Sequence, residues 1–333
     1  MTRGQAAGHF LLRHRTGLTV CAVATILAAV PSLWGNPYTL GLSCLIAVHV
    51  IVVLGLNLFV GYAGQISLGH AAFFGLGAYG SAILTATYGL PAWPSMAGVA
   101  VGVALVAWVL GVPTLRLRSH YLAMATVGFN VVVYTVMVQW DAVTGGPSGL
   151  SGIPPLAIAG YAFTTDRSFH YLAWAAALLA FTLCINLVRS GMGRGLASLA
   201  ADEAAAACLG VDVARSKVRI FVLSAVFASV AGSLYAHYLR FVSPETFGIF
   251  ASLDLVTMVV VGGLGSVWGT LFGVVFLTLL PEFLGFFEDW KEVVHGLILV
   301  GILLFLPQGL VVGLLDAVKT RAARRRLQLE GQT

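Results

Sequence analysis

Apolar residues along this chain run on for about twenty positions at a time, with short polar interruptions and no alternation with polar residues. Runs of that length are what a helix needs to cross the hydrocarbon core of a bilayer. The pattern predicts spans at 17–34, 38–60, 64–87, 92–115 and 119–140, then a polar loop with Gly and Pro at 141–168. Further spans follow at 169–188 and 220–239, separated by a more polar stretch at 189–219. The eighth and ninth, 251–264 and 266–284, meet at Gly262-Gly263-Leu264-Gly265, and a tenth covers 293–313. The expected architecture is an all-α integral membrane protein of about ten transmembrane helices. Three parts are expected: a basic N-terminus at 1–16, a transmembrane domain at 17–314 and a basic tail at 315–333.

Composition supports this and excludes a soluble domain. Hydrophobic residues make up 59% of 333 and charged residues 9%, against about 25% charged in soluble proteins. The basic residues before the first apolar run resemble a secretory signal, but the many later runs favour an uncleaved first helix. Cys21, Cys44, Cys184 and Cys208 form no C-x-x-C pair, and most lie in apolar runs. They read as small buried hydrophobes, with no disulfide framework or zinc site.

Charge adds sidedness. With the N-terminus inside and the spans alternating, the inner segments hold 15 basic residues and the outer ones only Arg167, Arg240 and Lys291, which accounts for all 18. The outer loops hold Asp141, Asp166, Glu245, Glu282, Glu288, Asp289 and Glu292. Such a bias is the positive-inside rule. One span more or fewer would scramble it, so both termini are expected in the cytoplasm. The +5 formal charge thus reflects membrane orientation, and no nucleic-acid partner is expected.

Three features could carry function. The stretch Gly55 to Gly80 holds Asn57, Gly61, Gly64, Gln65, Ser67, Gly69 and His70. Glycine costs a helix about 1 kcal/mol per interior site, so this run is either closely packed, with Ala63, Ser67, Ala71 and Gly75 as a thin stripe, or a broken helix lining a polar pathway. Among the polar residues at membrane depth, His49, Asn57, Asn130 and Asn186 suit packing hydrogen bonds. Asp254 suits either a pathway carboxylate or an interfacial acid. Lastly, the alanine-rich stretch 194–210, ending at Gly210, predicts a short helix with a glycine stop. It is more apolar than a connector at a membrane surface requires, and a helix lying in a partner's groove explains it better.

Enzymatic motifs are missing. None of the lysines Lys217, Lys291 and Lys319 sits in a phosphate-binding loop, and no H-E-x-x-H or G-x-S-x-G motif occurs. No cofactor is expected.

The run from Gly61 through Gly64-Gln65-Ile66-Ser67-Leu68-Gly69-His70 to Tyr79 resembles the signature of the branched-chain amino-acid permease family. So do Gly193 through Asp202-Glu203-Ala204-Ala205 to Gly210 with Lys217, and Ser252 to Gly269. The resemblance covers nearly the whole chain, with the order and length of the M-type subunit. It implies an ABC importer of the bacterial inner membrane, with two ATP-binding cassette subunits, a second, H-type permease and an extracytoplasmic solute-binding protein. The residue types themselves make Asn57, Gly64, Gln65, Ser67, Gly69, His70 and Asp254 the pathway candidates. The resemblance implies a coupling helix for the ATPases with Arg194, Asp202, Glu203, Ala204, Ala205 and Gly210. Importers of other types carry E-A-A-x-x-x-G there; here Gly210 comes one residue late. The solute implied is leucine, isoleucine or valine, with urea, short amides or aromatic acids as alternatives on the same machinery. An ion-coupled carrier working alone would need membrane-embedded charge, for which Asp254 is the candidate.

Overall fold

A computed structural model describes residues 36–117, 119–158 and 160–283, with isolated positions 23–25, 27, 31, 293, 296, 297, 300 and 301. The predicted first and tenth spans, apart from those positions, and both basic termini lie outside the described residues.

The first described helix, α1 (Pro37–Asn57), starts where Asn36 Oδ1 accepts from the Tyr38 amide and Pro37 supplies a preset φ. It continues through a π-helical turn, Leu58–Tyr62. A non-helical break follows, then α2 (His70–Ala82) with its own π turn, Ile83–Thr87. The long helices α3 (Ala92–Thr114) and α4 (Ser119–Gln139) come next, and a single turn, α5 (Asp141–Thr144). Helix α6 (Asp166–Arg189) has Asp166 in its first turn and Arg189 in its last, both matched to the helix dipole. Two short helices, α7 (Gly191–Ala201) and α8 (Glu203–Cys208), lead into α9 (Val213–Leu239). Helices α10 (Ile249–Gly262) and α11 (Val267–Phe283) close the described chain.

Five helices among the described residues are long and apolar enough to cross a membrane: Pro37–Tyr62, Ala92–Thr114, His120–Gln139, Asp166–Arg189 and Val213–Leu239. Large apolar side chains such as Leu105, Val109, Val132 and Leu179 point outward from them, as lipid-facing surfaces require. This is a multi-pass helical membrane protein. The predicted third and eighth spans differ from simple crossings. The third becomes helical only at His70. The eighth, at 14 residues, reaches about 21 Å at 1.5 Å per residue, short of a hydrocarbon core of about 30 Å. It folds back on α11 through Gly263 and Gly265, both at positive φ, and Gly262 packs on Gly269 with no room for a side chain.

Helix α9 is the centre. It packs along α1, α2 and α3. Its approach to α2 is closest at Gly232, where an added Cβ would lie 2.8 Å from the Ala78 nitrogen. Ser233 Oγ donates to the Gly77 carbonyl across the same crossing, at 3.1 Å. Small residues that let backbones touch are the usual means of helix association in lipid.

Loops gather at two ends. At one, β1 (Leu150–Ser151) pairs with β4 (Phe241–Val242) around the short hairpin β2 (Ala157–Ile158) and β3 (Tyr161–Ala162). Trp93 and His237 reach the carbonyls of Ala157 and Pro154 there. At the other end lie the break after α1, the end of α3, the α7–α8 pair and the 263–266 turn, with Arg116, Arg194, Arg215 and Lys217. The segments that charge sorting places on opposite sides thus gather at opposite ends.

Candidate coupling site

The α7–α8 pair is built by two caps. Ser190 Oγ accepts from the Met192 amide and starts α7; Leu196 and Leu199 turn inward and anchor it. The single helix expected over 194–210 is divided at Asp202, whose extended backbone (φ −161°, ψ 120°) ends α7. Its Oδ1 accepts from the amides of Ala204 and Ala205, at 2.7 and 2.9 Å, and starts α8. An Asp that can satisfy two orphan amides at a helix start competes well with helix continuation. Gly210, at φ +83°, ends the turn as expected. Ala204, Ala205 and Ala207 are exposed, Ala206 is buried, and Leu209 is 78% exposed. Arg194 is exposed, its guanidinium against the Arg189 carbonyl.

Glu203 joins this pair to the bundle. Its Oε1 accepts from Gln65 Nε2 at 3.1 Å and lies 2.5 Å from Lys217 Nζ. Lys217 is 6% exposed at its side chain and Glu203 49%. The carboxylate therefore caps an otherwise sequestered ammonium from the solvent side. Gly64, at φ +66°, brings the break against α7: a Cβ there would stand 3.2 Å from Ala200 Cα.

The break from Ala63 to Gly69 is a non-helical strap with Ala63, Gln65, Ser67 and Gly69 inward and Gly64 and Ile66 outward. Of the two possibilities left by its glycines, the interrupted helix is what forms, and it is closely packed as well. Backbone amides of the break and of the first turn of α2 find side chains on other helices: Leu68 donates to Thr126 Oγ1 at 3.1 Å, and Ala71 to Ser252 Oγ at 3.0 Å. Gly69 packs on the Thr126 carbonyl, 2.6 Å from where a Cβ would sit. His70 bridges Ser67 Oγ (Nδ1, 3.0 Å) and Ser224 Oγ (Nε2, 3.0 Å). Because Ser224 donates to the Phe221 carbonyl, its oxygen is left to accept from Nε2–H, and Ser67 donates to Nδ1. Asn57 is committed to the 263–266 turn. Its amide nitrogen donates to Ser266 O and Thr270 Oγ1, and its oxygen accepts from the Gly265 amide.

Asp254 lies apart from these, on α10. It lines a cavity of about 230 Å³ with His49, Thr257 and Thr278, where His49 Nδ1 and Thr278 Oγ1 are buried without a partner. The structure thus brings Gly64 and Gln65 to the α7–α8 pair, sets Ser67, Gly69, His70 and Asn57 into packing contacts, and puts Asp254 on a separate cavity. Lys217 is the residue the candidate set lacks. Its spacing of three, four and seven from Ile220, Phe221 and Ser224 puts it on the buried face of α9, a signal present in the sequence.

Comparison with known proteins agrees with this architecture. Residues 38–303 match the family model described as branched-chain amino acid transport system / permease component. The chain is 32% identical over 296 residues to the high-affinity branched-chain amino acid transport system permease protein LivM of Escherichia coli K12, covering 82% of this chain and 70% of that one. It is 23% identical over 295 residues to LivH of Salmonella typhimurium, covering 83% and 93%. The galactose/methyl galactoside import permease MglC of Haemophilus influenzae matches at 26% over 188 residues, 53% of this chain and 56% of its own. No solved structure matches.

Proposed function

The chain belongs to the branched-chain amino-acid transport permease family, whose members are transport permeases and not enzymes, and on that premise we propose that it is the M-type permease of an ATP-driven importer of leucine, isoleucine and valine. It forms the pathway together with an H-type permease in the inner membrane. A solute-binding protein delivers the solute from outside, and two ATP-binding cassette subunits engage α7 and α8 from the cytoplasm.

The observation that carries this reading is the meeting of three elements at Glu203. A partner that displaces α8 moves Glu203, and with it Gln65 on the strap between α1 and α2, and Lys217 at the start of α9. Since α9 packs along α2, one local push is delivered to both halves of a single helix contact. Coupling of this kind is a change in the balance between two packings. The chain supplies walls and levers, and ATP hydrolysis belongs to the partners. The Asp254 cavity offers polar contacts to a crossing solute.

The test is reconstitution of the chain with its partner subunits in proteoliposomes. Leucine uptake should require both ATP and the binding protein, and the purified assembly should contain a second permease and two ATPases. Uptake by the chain alone, driven by an ion gradient, would refute the importer reading in favour of a carrier.

A further inference from the structure

We propose that the groove between α3 and α9, at the end of the bundle that carries α7 and α8, is a binding site for one anionic phospholipid. The groove encloses about 450 Å³. It closes below Gly111, where a Cβ would lie 3.0 Å from Phe221 and the two helices touch.

Its walls are polarised along the membrane normal. Trp108, Val112 and Arg116 follow one another at four-residue steps along α3 and just past its end. On α9, Arg215 and Arg219 share the start of the groove, and Val218 and Val222 continue it toward the bundle centre. One end is therefore arginine and the other aliphatic and indole. A phospholipid has the same polarity, with a phosphodiester above acyl chains. Basic pockets between membrane helices recognise anionic headgroups by this complementarity, and planar guanidinium groups pair with phosphate oxygens.

The acids facing the site leave the charge positive. Asp212 holds Arg215 at 3.2 Å. Glu203, in the adjoining cavity, is engaged by Lys217. Three arginines less one aspartate leave a net charge of two. Inorganic phosphate would match the arginines but leave Trp108, Val112 and Val222 without an apolar partner, so the lipid is the better fit.

The test is a lipid titration on the detergent-purified permease assembly, read by native mass spectrometry. The probes are phosphatidylglycerol, phosphatidylcholine and inorganic phosphate. Phosphatidylglycerol should bind selectively and resist phosphate competition. Each arginine near an anionic group is worth about fivefold in affinity, so Arg116→Gln with Arg219→Gln should weaken binding about 25-fold. Arg167→Gln at the opposite end should have no effect. If the double variant fails to assemble, the single variants at Arg116 and Arg219 carry the same comparison at about fivefold each. Equal affinity in variants and wild type, equal binding of phosphatidylcholine, or displacement by phosphate overturns the proposal. So does loss of the ATPases from the arginine variants with lipid affinity unchanged, since the groove would then be a protein interface.

Discussion

Gln65 and Glu203, 138 positions apart in the chain, share a hydrogen bond of 3.1 Å, and that contact joins the break in a membrane helix to the surface helix α8. Glu203→Lys sets a second ammonium against Lys217 and removes the acceptor for Gln65. A hydrogen bond to a charged group is worth about 1.5–3 kcal/mol, so uptake per assembled complex is expected to fall about tenfold or more while the protein still inserts. Normal uptake by this variant, measured beside its membrane level, would show that the contact plays no part in coupling.

Cys208 is the exposed thiol among the described cysteines, and Cys44 and Cys184 are buried. A membrane-impermeant maleimide should label Cys208 in the isolated permease and fail to label it once the ATPases are bound. Ala205→Trp, on the same exposed turn, should release the ATPases. Labelling that is indifferent to the ATPases, with transport by Ala205→Trp intact, would remove α8 from the interface.

Gly69 and Gln65 separate packing from coupling. Any side chain at Gly69 runs into the Thr126 carbonyl at 2.6 Å, and overpacking of this kind costs about 1–3 kcal/mol. Gly69→Leu should therefore lower the amount of folded complex. Gln65→Ala leaves space and should lower uptake per complex with abundance unchanged. Quantitative blotting against uptake decides. A Gln65→Ala protein with full uptake per complex would confine the strap to a structural role.

Sidedness follows from the charge sorting and the two loop ends. A cysteine at Ser148 should react with impermeant reagent added outside intact cells. Cys208, and a cysteine placed at Gln328, should react only after the inner face is opened. Outside labelling at Gln328 would contradict an even number of spans.

Much of the fold is legible in the sequence because lipid imposes a blunt rule, and long apolar runs such as 92–115 and 220–239 obey it, the latter helix starting earlier, at Val213. The glycines at 61–69 announced irregularity, yet the direction of the break depended on residues that no local pattern connects to it. Thr126 from α4 bonds the Leu68 amide in the break, and Ser252 from α10 bonds the Ala71 amide in the first turn after it. Asp202 looked like one polar residue within an alanine helix and proved to be the cap that divides it. Asn57 suited either a packing or a pathway amide, and its bonds to Gly265, Ser266 and Thr270 engage its amide nitrogen and its oxygen in packing. Long-range pairing of polar groups is the part that periodicity does not record.

The strap between α1 and α2 also bears on how the protein is made. Leu68 and Ala71 depend on Thr126 and Ser252 for their backbone partners, and ribosomes deliver those residues well after the strap itself. An unmet buried amide costs about 1–3 kcal/mol, so a nascent chain that has emerged only through α2 holds this segment without its final partners. At the loop end of the bundle where the break lies, water can serve those amides until α10 arrives. A chain cut short just before residue 252 would hold all five long helices and still lack the acceptor for the Ala71 amide.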